Sequence, residues 1–230
     1  MLKYRISSIW KTAGEVKIFR VIPLGNKLIY KPGQFVMMHL LNEKGESLDR
    51  RPYSIASEPD SDYLEFCIKM IGGRFTSKLD LLKEGSIVGI EVPMGMLSYE
   101  GDKCVLICGG TGIAPIMSMV RDIAKKEKKG DFFVFYSAKK KDHLIYYDEL
   151  LSLEKKNPSL KLVFTLTREE PPAWPGKCGR IDEALLREFI VNPKEYNWYI
   201  CGPLEMSSSL RDCINSMGGD PKKIHLEGWG

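Results

Sequence analysis

Along the first 98 residues the apolar positions come in short runs, each closed by a turn signal. VKIFRVIPL (16–24), FVMMHLL (35–41), RPYSIAS (51–57), YLEFCIKMI (63–71) and SIVGIEV (86–92) are separated by stretches such as KPGQ, EPDSD and LKEG. Short β-prone runs punctuated by Gly, Pro and Asp predict an antiparallel barrel or sandwich. Only FTSKLDLLKEG (75–85) interrupts them with a helical pattern.

From Lys103 the texture changes. KCVLICGG precedes PIMSMVRDIAKKEKK, DFFVFYSAK precedes YDELLSLEKKN, KLVFTLTR leads to IDEALLREFI, and NWYICGP precedes LEMSSSLRDCINSMG. Apolar runs rich in Val, Ile and Phe, each followed by an amphipathic helical pattern, predict a parallel sheet covered on both faces. KIHLEGW supplies a final strand. The expected architecture has two domains, an antiparallel β-barrel over 1–98 followed by a doubly wound α/β domain over 99–230.

Composition changes this picture little. The chain is 43% apolar and 28% charged, with a net charge of +4. Residues 1–98 carry 14 basic and 11 acidic side chains and the rest 20 and 19. Neither part has the concentrated basic surface of a nucleic-acid binder. No apolar run reaches the roughly 18 to 20 residues that span a membrane, and no signal-peptide core opens the chain, so the expected compartment is the cytoplasm. The six cysteines include no C-x-x-C pair, so a metal or iron–sulfur cluster held by this chain is not expected.

Three stretches could carry chemistry. CGGTGIAP (108–115) ends the first parallel strand, where open sheets bind ligands. Its glycines allow close backbone approach to a phosphate, and the next helix offers unpaired N–H groups. It lacks the Lys-Ser/Thr ending of a P-loop, and Pro115 stands where the common dinucleotide fingerprint has a third glycine. A tight turn without a ligand reads equally well at this point. CGPLEM (201–206) ends the fourth strand at the same edge and is expected to aim Cys201 toward the cleft; no histidine is placed by sequence as a base for it, so thiol catalysis is not expected. RRPYSIAS (50–57) sets cations, an aromatic ring and a small hydroxyl side by side, although a plain strand start with solvated arginines fits it too.

Taken in order, RPYS, GGRFTS, GGTGIAP, CGPLEM and the terminal EGWG, the chain resembles the ferredoxin–NADP reductase superfamily of flavoprotein reductases. The resemblance implies a flavin-binding barrel over 1–98 and an NAD(P)-binding domain over 99–230. It implies that Arg51 in the Arg51-Pro52-Tyr53-Ser54 motif neutralises the flavin phosphate, that Tyr53 stacks on the isoalloxazine and that Ser54 lies near flavin N5. Gly73, Arg74, Phe75 and Thr76 fall in the pyrophosphate-binding turn, and Ile68 and Lys69 on the strand lining the flavin. Arg50 has no implied role. Gly110, Thr111 and Gly112 match the nucleotide pyrophosphate turn; Cys201, Gly202 and Pro203 match the motif beside the nicotinamide, with Glu205 bordering the ring. Trp229 is the candidate aromatic cover for the flavin's other face.

By the same resemblance the chain is a flavin-dependent NAD(P)H oxidoreductase holding FAD rather than FMN. It would pass electrons to a ferredoxin, a flavodoxin or an oxygenase component. A free-flavin reductase is the enzymatic alternative, and a flavin-binding electron-transfer subunit of a larger redox complex is the third. Lys139, Arg168 and Arg180 stand where some NADPH-using members carry cations, which favours NADPH over NADH as the donor.

Overall fold

Alternation along the first part of the chain builds one curled sheet. A computed structural model describes residues 1–12 and 14–228. Strands β1 (Leu2–Lys11), β2 (Val16–Pro23), β3 (Phe35–Leu41), β4 (Ser47–Ser54), β5 (Leu64–Lys69) and β6 (Ile87–Ile90) pair antiparallel in the order β4-β3-β6-β1-β2-β5. The edges meet where Ile55, just past β4, bridges Phe66 of β5, and where the Ala56 N–H donates to the Glu65 carbonyl at 2.8 Å. Closure removes the open edges a flat sheet would present. Tyr4, Ile6, Phe19, Val36, Met38 and Val88 fill the interior.

Two departures from the sequence pattern have physical causes. β1 was not anticipated: a register shift between Ile6 and Ser8 breaks its alternation after Tyr4 and Ile6. The helical pattern of FTSKLDLLKEG yields only helix α1 (Arg74–Leu79), which buries Phe75, Thr76 and Leu79 and then gives way to a turn in which Leu81 is exposed.

The second sheet is parallel throughout. Strand β7 (Lys103–Gly109), helix α2 (Ile113–Lys125), β8 (Asp131–Ala138), α3 (Tyr147–Lys156), β9 (Leu160–Leu166), the short β10 (Lys177–Cys178), α4 (Glu183–Phe189), β11 (Asn197–Gly202), α5 (Leu204–Ser216) and β12 (Ile224–Gly228) follow one another. Their strand order is β10-β9-β8-β7-β11-β12. Side chains alternate across this sheet. Cys104, Leu106 and Cys108 pack with α2 and α3, while Val105 and Ile107 pack with α4 and α5. The sheet is therefore covered on both faces. Chain order reverses between β7 and β11, the place where such sheets open a crevice.

The two sheets meet along α2. Val16, Ile18, Ala56 and Cys67 of the barrel share one apolar cluster with that helix. A charged seam runs beside them: Arg121 on α2 reaches Glu65 of β5 at 2.8 Å, the Ala56 carbonyl at 2.9 Å and both carboxylate oxygens of Glu149 on α3 at 2.7 and 2.8 Å. Glu65 is fully buried and takes a second cation, Arg20, at 2.7 Å. Ser118 on the same helix donates to the Ser57 carbonyl at 2.5 Å. No helix among the described residues is long and apolar enough to cross a membrane.

Candidate functional site

The crevice predicted at the strand-order reversal is a cleft of about 900 Å³ walled by both sheets. That volume is of the size that holds a cofactor. On the barrel side it is lined by Arg51, Pro52, Tyr53 and Ser54 of β4, Ile68 and Lys69 of β5, and Gly73, Arg74, Phe75 and Thr76 at the start of α1. On the other side stand Gly109, Gly110, Thr111 and Gly112 after β7, Ala138, Lys139 and His143 after β8, Thr167 after β9, and Gly202 and Pro203 after β11.

Strand geometry explains the barrel wall. Neighbours along a strand point to opposite faces, so the two arginines of RRPYS part company. Arg50 pairs with Glu91 at 2.8 Å, beside a His39–Glu91 contact at 2.7 Å, and takes no part in the cleft. Arg51 lies on the cleft wall, its guanidinium 3.1 Å from Asp49 and 2.7 Å from the Arg50 carbonyl. Asp49 also faces Arg74 at 3.4 Å. The Tyr53 ring is half-buried against Phe75, centroids 5.7 Å apart, and burial pushes its hydroxyl up to about 12, so it remains a neutral aromatic face. Ser54 also lines the cleft, and its hydroxyl makes no hydrogen bond to protein among the described residues. Thr76 caps inward, donating to the Gly73 carbonyl at 3.3 Å.

The opposite wall is made by backbone. Gly110 has φ +57, a left-handed turn with open space where a Cβ would point. Gly112 is needed for a different reason: a Cβ there would stand 2.2 Å from the Cys201 carbonyl oxygen. A Cβ on Gly202 would likewise meet Met206, 2.5 Å away. The turns after β7 and β11 are thus locked together, and helix α2 starts directly behind them.

Not every predicted residue reaches this cleft. Cys201 is fully buried, beside Cys108, and its side chain is not on the cleft wall as expected; its backbone is what packs on Gly112. Burial, reinforced by Cys201, pushes the Cys108 thiol far up. Glu205 sits exposed in the first turn of α5, away from the cleft among Ser208, Ser209 and Asp212. Arg168 and Arg180 are exposed and not on the lining. Arg168 is tied by its N–H to the Lys139 carbonyl at 3.0 Å. Trp229 lies outside the described residues.

Two residues at the cleft escaped sequence reading, as did one buried carboxyl beyond its lining. Asp49 shares a strand face with Arg51, two positions away, so alternation alone could have found it. His143 lines the cleft and packs 3.5 Å from where a Cβ on Gly14 would stand. Glu227, paired in register with Cys201, has a carboxyl raised by burial to about 7, and its Oε2 has no partner among the described residues. Its place in the EGWG ending was the available signal.

Known proteins agree with this architecture. The family model described as oxidoreductase FAD-binding domain matches residues 4–99, and that described as oxidoreductase NAD-binding domain matches 106–212. The reductase component 2 of terephthalate 1,2-dioxygenase from Comamonas is 29% identical over 221 residues, which cover 94% of this chain and 64% of that protein. The chain thus spans less than two thirds of that relative. The gamma subunit of sulfhydrogenase 1 from Pyrococcus furiosus is 30% identical over 211 residues, covering 88% of this chain and 69% of that subunit. The ferredoxin NADP+ reductase of Neisseria gonorrhoeae, solved with bound FAD and NADP, superposes with a TM-score of 0.84 at 22% identity over 98% of this chain and 97% of its own. With a flavin-domain match, a nucleotide-domain match and the two-walled cleft between them, the chain belongs to the ferredoxin–NADP reductase superfamily.

Proposed function

We propose that this protein is an NAD(P)H-dependent flavoprotein reductase whose bound FAD passes electrons to a separate redox protein, with an oxygenase component or a ferredoxin as the acceptor class. One observation carries the reading: a single cleft joins a wall of cations and an aromatic ring to a wall of glycine backbone. The donor set fits FAD. Arg51 and Arg74 are the cations for its phosphates, Tyr53 is the flat apolar face for its ring, and Ser54 is a small hydroxyl with no protein partner competing for it. FAD held there would supply the redox chemistry, hydride acceptance from a nicotinamide and electron release one or two at a time.

The chain's own contribution is placement. Gly110, Thr111 and Gly112, fixed against β11, set where a nicotinamide dinucleotide's phosphates rest. Gly202 and Pro203 border the same wall and orient the nicotinamide end, and Lys139 borders it at the ribose end. Cys201 acts through its backbone, which holds the glycine turn in register; a serine hydroxyl in the buried apolar place of its thiol would disturb that packing, so Cys201→Ser should slow flavin reduction without abolishing it. Residues 1–98 and 99–230 are proposed as the flavin and nucleotide domains.

The acceptor class rests on relatives. The Comamonas relative is named a reductase component of a dioxygenase, and several others are named reductase subunits of monooxygenases. A visible spectrum of the purified protein, followed by anaerobic mixing with NADPH or NADH, tests the reading. Flavin absorbance that bleaches on mixing is expected. A reconstituted protein with no flavin absorbance would end it.

A further inference from the structure

The arginines assigned to the flavin phosphates already have an anion. Asp49 directs Oδ1 at Arg51, 3.1 Å away, and Oδ2 at Arg74, 3.4 Å away. Its side chain is only 11% exposed, whereas the two arginine side chains, which line the cleft, are 52% and 75% exposed. Oδ1 accepts one further bond, from the Arg50 N–H at 2.8 Å. Oδ2 is buried with no hydrogen bond among the described residues. A buried carboxylate depends on its counter-charges, because water cannot replace them.

We propose that Asp49 is a built-in counter-anion of the flavin phosphate site, which weakens the hold of Arg51 and Arg74 on the flavin and keeps it exchangeable. The inference rests on the flavin reading above. Two anions, one fixed and one arriving with the ligand, would then share two cations. Whatever charge the phosphates draw from Arg51 and Arg74 is charge withdrawn from a carboxylate that has little else.

A purely orienting role for Asp49 would work in the opposite direction. Arg51 does not depend on Asp49 for its position, since the same guanidinium nitrogen also donates to the Arg50 carbonyl at 2.7 Å. Arg74 begins α1, whose buried Phe75, Thr76 and Leu79 fix the backbone beneath it. The Arg51 guanidinium and the Arg74 backbone are therefore placed without the carboxylate, and the main effect of Asp49 on the site is its charge.

The test uses apoprotein stripped of flavin and titrated with FAD, FMN and riboflavin, followed by flavin fluorescence, with thermal melting to confirm that each variant is folded. Asp49→Asn keeps an oxygen acceptor and removes the charge. Its Kd should fall about tenfold for FAD and for FMN, and stay within about twofold of wild type for riboflavin, which has no phosphate. The salt dependence of FAD binding should also steepen, because the site gains one net positive charge. Asp49→Ala removes the acceptor too and should shift FAD affinity in the same direction. An unchanged or raised Kd for FAD in both variants overturns the proposal, as does equal tightening of riboflavin, which would mean altered packing. Wild-type apoprotein that binds none of the three flavins overturns the flavin reading itself, and is seen before any variant is made.

Discussion

The two walls of the cleft are built from different materials. On the barrel side, the wall lies in long side chains: Arg51, Arg74 and Tyr53 project from a strand and a short helix, and a neighbouring carboxylate engages the same cations. On the other side it lies in backbone, since the turn from Gly109 to Gly112 has almost no side chain to offer and is held by contact with β11. A side-chain wall is tunable, because charges can be added or withdrawn without moving the fold. A backbone wall is fixed by packing, so it either keeps its shape or loses it. Substitutions on the first should change affinity, and on the second, stability.

The largest effect is expected where the walls are joined. Arg121 spans them, pairing the fully buried Glu65 of the barrel with Glu149 of the second domain. Burial opposes the charge on this guanidinium, yet its carboxylate partners outweigh burial and hold it protonated. Arg121→Met leaves Glu65 with Arg20 alone, and removing one partner of a buried pair costs about 3 to 5 kcal/mol. Equilibrium unfolding in urea should show that loss. An unchanged midpoint would mean that the apolar cluster around α2, not the charged seam, joins the domains.

Next come the glycines of the backbone wall. Gly112→Ala sets a methyl 2.2 Å from the Cys201 carbonyl, a rigid neighbour. Overpacking of this kind costs about 1 to 3 kcal/mol, and the upper end applies because backbone must move. Gly110→Ala meets nothing and carries only the strain of φ +57, about 1 kcal/mol. Melting both variants separates the two demands. Equal losses would show that turn conformation, not close approach, fixes this wall.

The same contrast explains what could be read from sequence. Most of both sheets was legible because periods of two and of 3.6 are local signals, and the alternating strand and helix patterns after Lys103 became β7, β8, β9, β11 and β12 with helices on both faces, while the two-residue β10 falls in a stretch that reads as a loop. The bulge in β1 was not, since its register is set by pairing with β2. Strand order was equally hidden: nothing local says that β11 returns to lie beside β7. Many of the residues lining the cleft were named from motifs, whereas the Arg121 seam belongs to no motif and depends on which elements meet; Asp49 belongs to none either, although alternation puts it on the strand face of Arg51. Side-chain direction was the weakest point. Cys201 ends a strand at the cleft, yet its thiol turns into the α2 side of the sheet.

A smaller effect is expected at the seam of the walls near the last strand. Burial raises the Glu227 carboxyl from its usual range near 4.5 to about 7. Between those values the folded protein binds more protons at this site than the unfolded chain, so stability falls as pH rises through that window. Above about pH 7 the full cost is present, and below about 4.5 it vanishes. Glu227→Gln should therefore gain about 1 to 2 kcal/mol at pH 8, after allowance for partial solvent screening, and nothing at pH 4.5. A gain that is the same at both pH values would mean that charge burial is not its cause.

The smallest effect concerns choice of donor, and it asks whether the backbone wall has a tunable edge of its own. Lys139 lines the cleft at the end of β8, and Arg168 is held one bond away through its N–H to the Lys139 carbonyl, with Arg180 exposed beyond the short β10. These cations suit the extra phosphate of NADPH, whereas a carboxylate would suit the free ribose hydroxyl of NADH. Glu169, next to Arg168, accepts the Lys141 N–H at 2.8 Å and so has a partner in the loop after β8. A charge-assisted contact to phosphate is worth about 1.5 to 3 kcal/mol, and for side chains this exposed the lower figure applies, about tenfold in affinity. Wild type should show a higher kcat/KM with NADPH than with NADH, and Arg168→Ala should lower that ratio by about tenfold through KM for NADPH, leaving NADH turnover unchanged. Equal values for the two donors, with a ratio that Arg168→Ala and Arg180→Ala leave untouched, would make these cations bystanders and the second wall a matter of backbone alone.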